Sequence, residues 1–213
     1  MRAFAHTALF NTFSQILVVN PSVKANSVSE LISLARAQPG KLTIGELGGA
    51  GMVTISSIFF RAMAKVNLTP VPYKDGNPLR VDLISGRLDA YFGPIQTMSP
   101  LIAAGKLRAL GVGGAKRSAV WPDVPTIAEA GVPNFEATGW LHIAAPAGTP
   151  QAVLESLNSA VAKIVAMSDV REALIKKAGT DPTTDSREGL AKRMAVAVEK
   201  FDRVTKELGI KPQ

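Results

Sequence analysis

Apolar positions along the chain repeat with two different periods, and the switches between them outline the elements. Ile16-Leu17-Val18-Val19 is an uninterrupted apolar run halted by Asn20-Pro21, the pattern of a buried strand that ends in a turn. Apolar residues then recur at helical spacing from Val28 to Ala37, with Leu31, Ile32, Leu34 and Ala35 inward and Pro39-Gly40 as the stop. Ser27 and Glu30 form a capping box at its start. The hydroxyl is expected to accept a free helix N–H while the carboxylate reaches back to the N–H of the cap.

The alternation continues. A strand at Leu42-Thr43-Ile44 leads through the loop 45–51 into a helix carrying Ile55, Ile58, Phe59 and Met63. Further strands are expected over Leu68 to Pro72, Leu88 to Phe92, Leu107 to Val112 and Trp140 to Ala144. Helices are expected over Pro78 to Ser85, ended by Gly86, and Pro100 to Ala104, ended by Gly105. Thr126 and Glu129 make a second capping box before a short helix that stops at Gly131. Strands alternating with helices imply an α/β fold with a mostly parallel sheet covered on both faces. Beyond Pro150 the pattern is helical only: Ala152 to Ala166, Val170 to Ala178, and about Arg187 to Leu208. Such helices cannot bury their apolar faces on each other alone, so they should clothe a sheet whose other strands are largely missing from this chain.

Composition narrows the function. With 213 residues, 46% hydrophobic and 19% charged, the chain is globular rather than disordered, and long enough for one large domain or two modest lobes. No run reaches the length of a membrane-spanning helix, and the first residues, Met1-Arg2-Ala3-Phe4-Ala5-His6, lack the apolar core of a signal peptide. The absence of cysteine removes disulfides, thiolate metal sites and cysteine nucleophiles. A net charge of +7 favours anionic partners. Nucleic acid is not among them: Lys106, Arg108, Lys116 and Arg117 are scattered, without interleaved aromatics or a reading helix.

Catalytic chemistry is nearly absent. His142 lies in an apolar strand, where a satisfied structural imidazole is the better reading than a general base. Asp82 and Asp89 cannot be placed face to face by spacing, and metal-ligand clusters are missing. The segment Gly48-Gly49-Ala50-Gly51 alone has binding character, because it opens a helix directly after a strand. Small residues there let an anion approach free backbone N–H groups at the positive end of the helix dipole. The alternative is that these glycines only make a tight turn. The loop fits neither nucleotide fingerprint.

A run of ordered motifs carries a resemblance that covers almost the whole chain. Asn20-Pro21-Ser22, Pro39-Gly40-Lys41 and Val71-Pro72-Tyr73-Lys74-Asp75-Gly76 come first, followed by Asp82-Leu83-Ile84-Ser85-Gly86-Arg87-Leu88-Asp89. Ala104-Gly105-Lys106-Leu107-Arg108-Ala109-Leu110, Lys116-Arg117-Ser118, the stretch from Pro122 to Gly131 and Ala145-Pro146-Ala147-Gly148-Thr149-Pro150 then follow. In these the chain resembles the Bug family, the TctC-like solute-binding receptors of tripartite tricarboxylate transporters.

The resemblance implies a periplasmic, type II, two-lobed binding protein with mostly parallel sheets. It would close on a small organic carboxylate and deliver it to membrane permease subunits, with no cofactor and no catalysis. Residues 20–132 would form the second lobe, 133–213 the return to the first, and 1–19 a residual first-lobe or hinge segment. The first lobe's opening part, with a Pro- and Gly-rich loop that supplies half of the carboxylate clamp, would be missing along with the secretion signal. The ligand would meet Gly48, Gly49, Ala50 and Gly51, with Thr54 as the nearest side-chain donor. Tyr73 would line the cleft or simply pack, and Trp140 carries the same two readings. Gly93 stands where the family often has Asp, which disfavours a ligand ammonium and hence an amino acid. Two other readings remain: a remnant or interaction module that associates through its incomplete sheet, and an enzyme for a phosphorylated substrate, which lacks any acid, base or metal set.

Overall fold

The first strand, β1 (Phe4–Val19), is 16 residues long, whereas the apolar pattern marks a strand only from Ile16. Its earlier part carries Thr7, Asn11, Thr12, Ser14 and Gln15, which break the apolar run and yet are all buried. Patterning reports burial through apolar residues, so a strand that buries polar groups escapes it. The computed structural model describes residues 3–48 and 51–207; Met1 and Arg2, the loop residues Gly49 and Ala50, and the expected helix end at Leu208 lie outside them. The chain divides into two compact units, and β1 contributes to both. Met1–Thr12 with Trp140–Gln213 make the discontinuous unit, and Phe13–Gly139 make the central unit.

In the central unit β1 is followed by α1 (Val28–Ala37), β2 (Thr43–Leu47), α2 (Met52–Met63), β3 (Thr69–Tyr73) and α3 (Gly76–Ser85). Then come β4 (Ala90–Pro94), α4 (Ile95–Ala103) and β5 (Arg108–Val112). The strand order is β3-β2-β4-β1-β5. β2 pairs in parallel with β3 and β4, while β1 pairs antiparallel with β4 and β5. Four strands therefore run one way and β1 alone runs against them. The parallel strands are joined by helical crossovers, as parallel pairing requires. Ile16 and Val18 point to one face and Leu17 and Val19 to the other, and all four are fully buried. Ile16 and Val18 join Leu79, Leu83, Tyr91 and Met98 in one apolar cluster. Phe60, Phe92 and Phe135 pack together with ring centroids 5.8, 6.3 and 6.2 Å apart.

Local signals place the helices closely. Ser27 caps α1 by accepting the Glu30 N–H at 3.1 Å, but the Glu30 carboxylate takes the N–H of Asn26, one residue before the cap, at 2.7 Å. Asp75 caps α3, and Gly86 ends it in the left-handed region at φ 81°, where a glycine carries no Cβ penalty. α4 begins at Ile95, directly after β4, with Pro100 inside it rather than at its first turn. The Thr126–Glu129 box forms both of its hydrogen bonds, at 2.8 and 3.1 Å, around a turn rather than a helix.

In the discontinuous unit β1 pairs with β6 (Thr138–Pro146), whose first two residues belong to the central unit. α5 (Gln151–Ala166), α6 (Ser168–Lys176), β7 (Asp181–Pro182) and α7 (Arg187–Glu207) complete it. β7 aligns antiparallel to β1 with Thr12 opposite Asp181. At two residues it is too short to leave a period in the sequence. The Asn158 amide donates to the carbonyls of Thr7 at 2.9 Å and Asp185 at 3.1 Å, tying α5 to β1 and to the approach of α7. No helix among the described residues is long and apolar enough to cross a membrane.

Candidate ligand-binding site

β2, β3 and β4 run in parallel and end at Leu47, Tyr73 and Pro94. Their carboxyl ends therefore share one edge of the central sheet, the edge at which open α/β sheets bind ligands. Gly48, Tyr73 and Gly93 sit along it, and α2 starts just beyond it.

The Gly48 N–H donates to the Tyr73 carbonyl at 3.1 Å, continuing the β2–β3 ladder by one residue. Gly51 is the N-cap of α2, in extended backbone at φ −73° and ψ 158°, and no side chain caps the helix. α2 also has no acidic residue in its first turn, so nothing of its own neutralises the positive end of the dipole. A Cβ added at Gly51 would meet nothing within 4 Å, and at Gly48 only the Tyr73 carbonyl oxygen at 4.0 Å. Neither position needs glycine for packing. Gly45, inside β2, does: a Cβ there would lie 2.8 Å from Leu88 Cδ2 and 2.9 Å from Leu79 Cδ1.

The side chains expected around this loop are engaged within the unit. Thr54 donates its hydroxyl proton to the Leu47 carbonyl at 2.5 Å, so only its lone pairs remain to face a ligand. The Tyr73 hydroxyl donates to Asp82 at 2.8 Å, and its ring packs against the apolar cluster. Burial, with the bond to Asp82 and that carboxylate's charge, pushes the Tyr73 phenol up to about 12. Asp82 in turn pairs with Arg87 at 2.5 Å. Arg87 first and Tyr73 second hold its carboxyl below the ordinary range. Gly93 is buried, and a Cβ there would lie 2.5 Å from Met98 Cγ and 2.7 Å from Tyr91 Cε1.

Two arrangements were not visible in the sequence. Glu46 in β2 accepts from the buried Ser57 hydroxyl at 2.7 Å and from Arg61 at 2.8 Å, both on α2. This fastens α2 to the strand before it. In the discontinuous unit His6 Nδ1 lies 3.0 Å from His142 Nε2. His142 thus has a structural partner, and burial, then the charge of His6, lowers its pKa. Trp140, two residues before His142, is half-buried. Among the described residues no three His, Cys, Asp or Glu side chains group as metal ligands.

Residues 1–210 match the model of the family described as "Tripartite tricarboxylate transporter family receptor", TctC. The chain belongs to the TctC family. A UPF0065 protein from the tcbD-tcbE intergenic region of a Pseudomonas species is 38% identical over 186 residues, 85% of this chain and 55% of that protein. Protein BugT of Bordetella pertussis is 31% identical over 200 residues, covering 92% of this chain and 60% of BugT. The chain thus spans little more than half the length of these TctC relatives. Among solved structures, an R. palustris protein with adipate matches with a TM-score of 0.86 and 32% identity, over 99% of this chain and 70% of that one. MatC from Rhodopseudomonas palustris, with bound malate, matches with a TM-score of 0.78 and 27% identity, over 94% and 69%. The family is thus described as one of transporter receptors, and the two structural neighbours hold adipate and malate.

Proposed function

We propose that this chain serves in capturing a small organic carboxylate, a dicarboxylate in the first instance, for delivery to the permease subunits of a tripartite transporter in the periplasm. The observation that carries the reading is the free start of α2. Its first N–H groups have no side-chain cap and no acidic neighbour in the first turn, and Gly51 leaves open the space that a side chain would fill. A carboxylate satisfies those donors and complements the dipole. The loop residues Gly49 and Ala50 are assigned to the same contact. Gly48, Thr54 and Tyr73, whose donors are already given to Tyr73, Leu47 and Asp82, and the buried Gly93 border it without a side-chain donor. Adipate and malate in two structural neighbours support the choice of ligand class.

Thermal shift and calorimetry with adipate, malate and succinate test the reading. A ligand held at about a hundred times its Kd should add about 2.7 kcal/mol of stability. Gly51→Val should abolish that gain while the unliganded chain still folds, with a loss of about 0.5–1 kcal/mol from the poorer N-cap residue, because nothing stands where its side chain would go. A gain of the same size in G51V moves the ligand elsewhere; no gain with any dicarboxylate removes the ligand class.

A second reading, association with another chain through the sheet of the discontinuous unit, is favoured by one observation. Leu141 and Ile143, on one face of β6, are 46% and 39% exposed. Sedimentation of the purified chain decides it, since a monomer at all concentrations would exclude self-association through that face.

A further inference from the structure

We propose that His6 and His142 form a two-imidazole chelate for a late first-row divalent metal ion, Cu2+ foremost and Ni2+ after it. They are the chain's two histidines, 136 positions apart in sequence, and the pairing of β1 with β6 brings them side by side. Both are half-buried, so their rings are anchored by the sheet while an ion can still reach them from solvent.

The distance argues for the chelate. Two nitrogen ligands at about 2.0–2.1 Å from a metal stand about 2.9 Å apart when cis in a square plane and about 3.3 Å apart at the tetrahedral angle. His6 Nδ1 and His142 Nε2 are 3.0 Å apart, with ring centroids at 5.0 Å and planes inclined by 58°. The separation lies close to the square-planar value, the geometry of Cu2+ and Ni2+, and the affinity order of first-row ions places Cu2+ first. The hydrogen bond between the rings holds them at this spacing before any ion arrives.

The protons balance without net release from the neutral pair. In the metal-free pair one ring donates an N–H into the gap and the other accepts it. When the ion enters, that proton leaves the gap and the same ring takes one up at its other nitrogen. Two neutral imidazoles then direct lone pairs at the metal. With no group of three ligating side chains among the described residues, water or an exchangeable ligand fills the remaining positions.

The test is titration of the tag-free chain with CuSO4, and separately with NiCl2, by calorimetry at neutral pH. Imidazole proton resonances are followed by NMR during the Cu2+ addition. One ion per chain should bind, both imidazoles should broaden before other resonances, and His6→Ala or His142→Ala should each weaken binding by roughly tenfold or more, as when one arm of a bidentate contact is lost. Ni2+ should bind more weakly and be sensitive to the same substitutions. Affinity unchanged in both variants, or broadening that begins elsewhere and spares the two rings, overturns the proposal. Should a variant fail to fold, the broadening pattern of the unaltered chain decides alone.

Discussion

Gly93 and Met98 occupy one volume: a Cβ on Gly93 would stand 2.5 Å from Met98 Cγ and 2.8 Å from its sulfur. Met98 is 1% exposed and belongs to the central apolar cluster, so it fills the space into which any side chain at 93 would project. Gly93→Ala is expected to destabilise the chain by about 1–3 kcal/mol through overpacking. Met98→Ala should cost about 2–5 kcal/mol on its own through the cavity it leaves. The double variant should cost less than the sum, with a coupling of about 0.5–3 kcal/mol, because each change relieves the other. Urea unfolding of the four proteins measures this, and strict additivity would mean that the two sites do not share that volume.

Glu46 supplies the next test. Its carboxylate holds the buried Ser57 hydroxyl and Arg61 on α2. Glu46→Ala leaves both without that acceptor and should cost about 1–3 kcal/mol. Glu46→Gln keeps an acceptor oxygen in place and should cost less. Equal losses in the two variants would assign the effect to packing alone.

Parts of this architecture were legible because their signals are local. Ser27 before Val28, Gly86 after Ser85 and the apolar spacing of Leu31, Ile32 and Ala35 each act within a few residues, and α1 and the end of α3 lie where those signals put them. The start of β1 was hidden because Thr7, Asn11 and Gln15 are buried polar residues, which patterning counts as surface. Pro100 was misleading in the same way. A proline favours a first helical turn, but α4 had already begun at Ile95 because β4 ends there. Around the site the loop was legible from its glycines, while the engagement of its neighbours was not. The proton of Thr54 is directed to Leu47, the hydroxyl of Tyr73 to Asp82, and Glu46 to a residue fifteen positions away. Such pairings depend on register between elements, and no spacing rule encodes that. The His6–His142 contact, across 136 positions, is the extreme case.

Asn20 ties the end of β1 to the end of α3. Its amide donates to the carbonyls of Leu83 at 2.8 Å and Ile84 at 3.1 Å, and its oxygen accepts from the Ser22 N–H at 2.9 Å. Asn20→Ala should cost about 1–3 kcal/mol, since it leaves helix-end carbonyls without their partner. Asn20→Asp should be worse than Ala despite its matching shape. A carboxylate donates nothing to those carbonyls and places negative charge at the negative end of the helix dipole. Chemical denaturation ranks the three proteins, and an Asp variant as stable as Asn would refute the donor role.

The chain's two tyrosines give a prediction at alkaline pH. Burial pushes Tyr91 up to about 12, and burial with the Asp82 contact does the same for Tyr73. An unfolded tyrosine titrates near 10. A folded value above the unfolded one means that the folded chain binds the phenolic protons more tightly than the unfolded chain does. The resulting stability is therefore fully present below about pH 10 and is lost as the pH rises through about 12. Absorbance of tyrosinate should accordingly stay flat through pH 10 in the folded chain, while in denaturant half of the signal is already present there. Tyr73→Phe should remove the share of this alkaline sensitivity that belongs to Tyr73 and leave the Tyr91 share unchanged. Two tyrosines that ionise near pH 10 in the folded protein would show that neither phenol is held as the Tyr73–Asp82 bond and the burial of Tyr91 require.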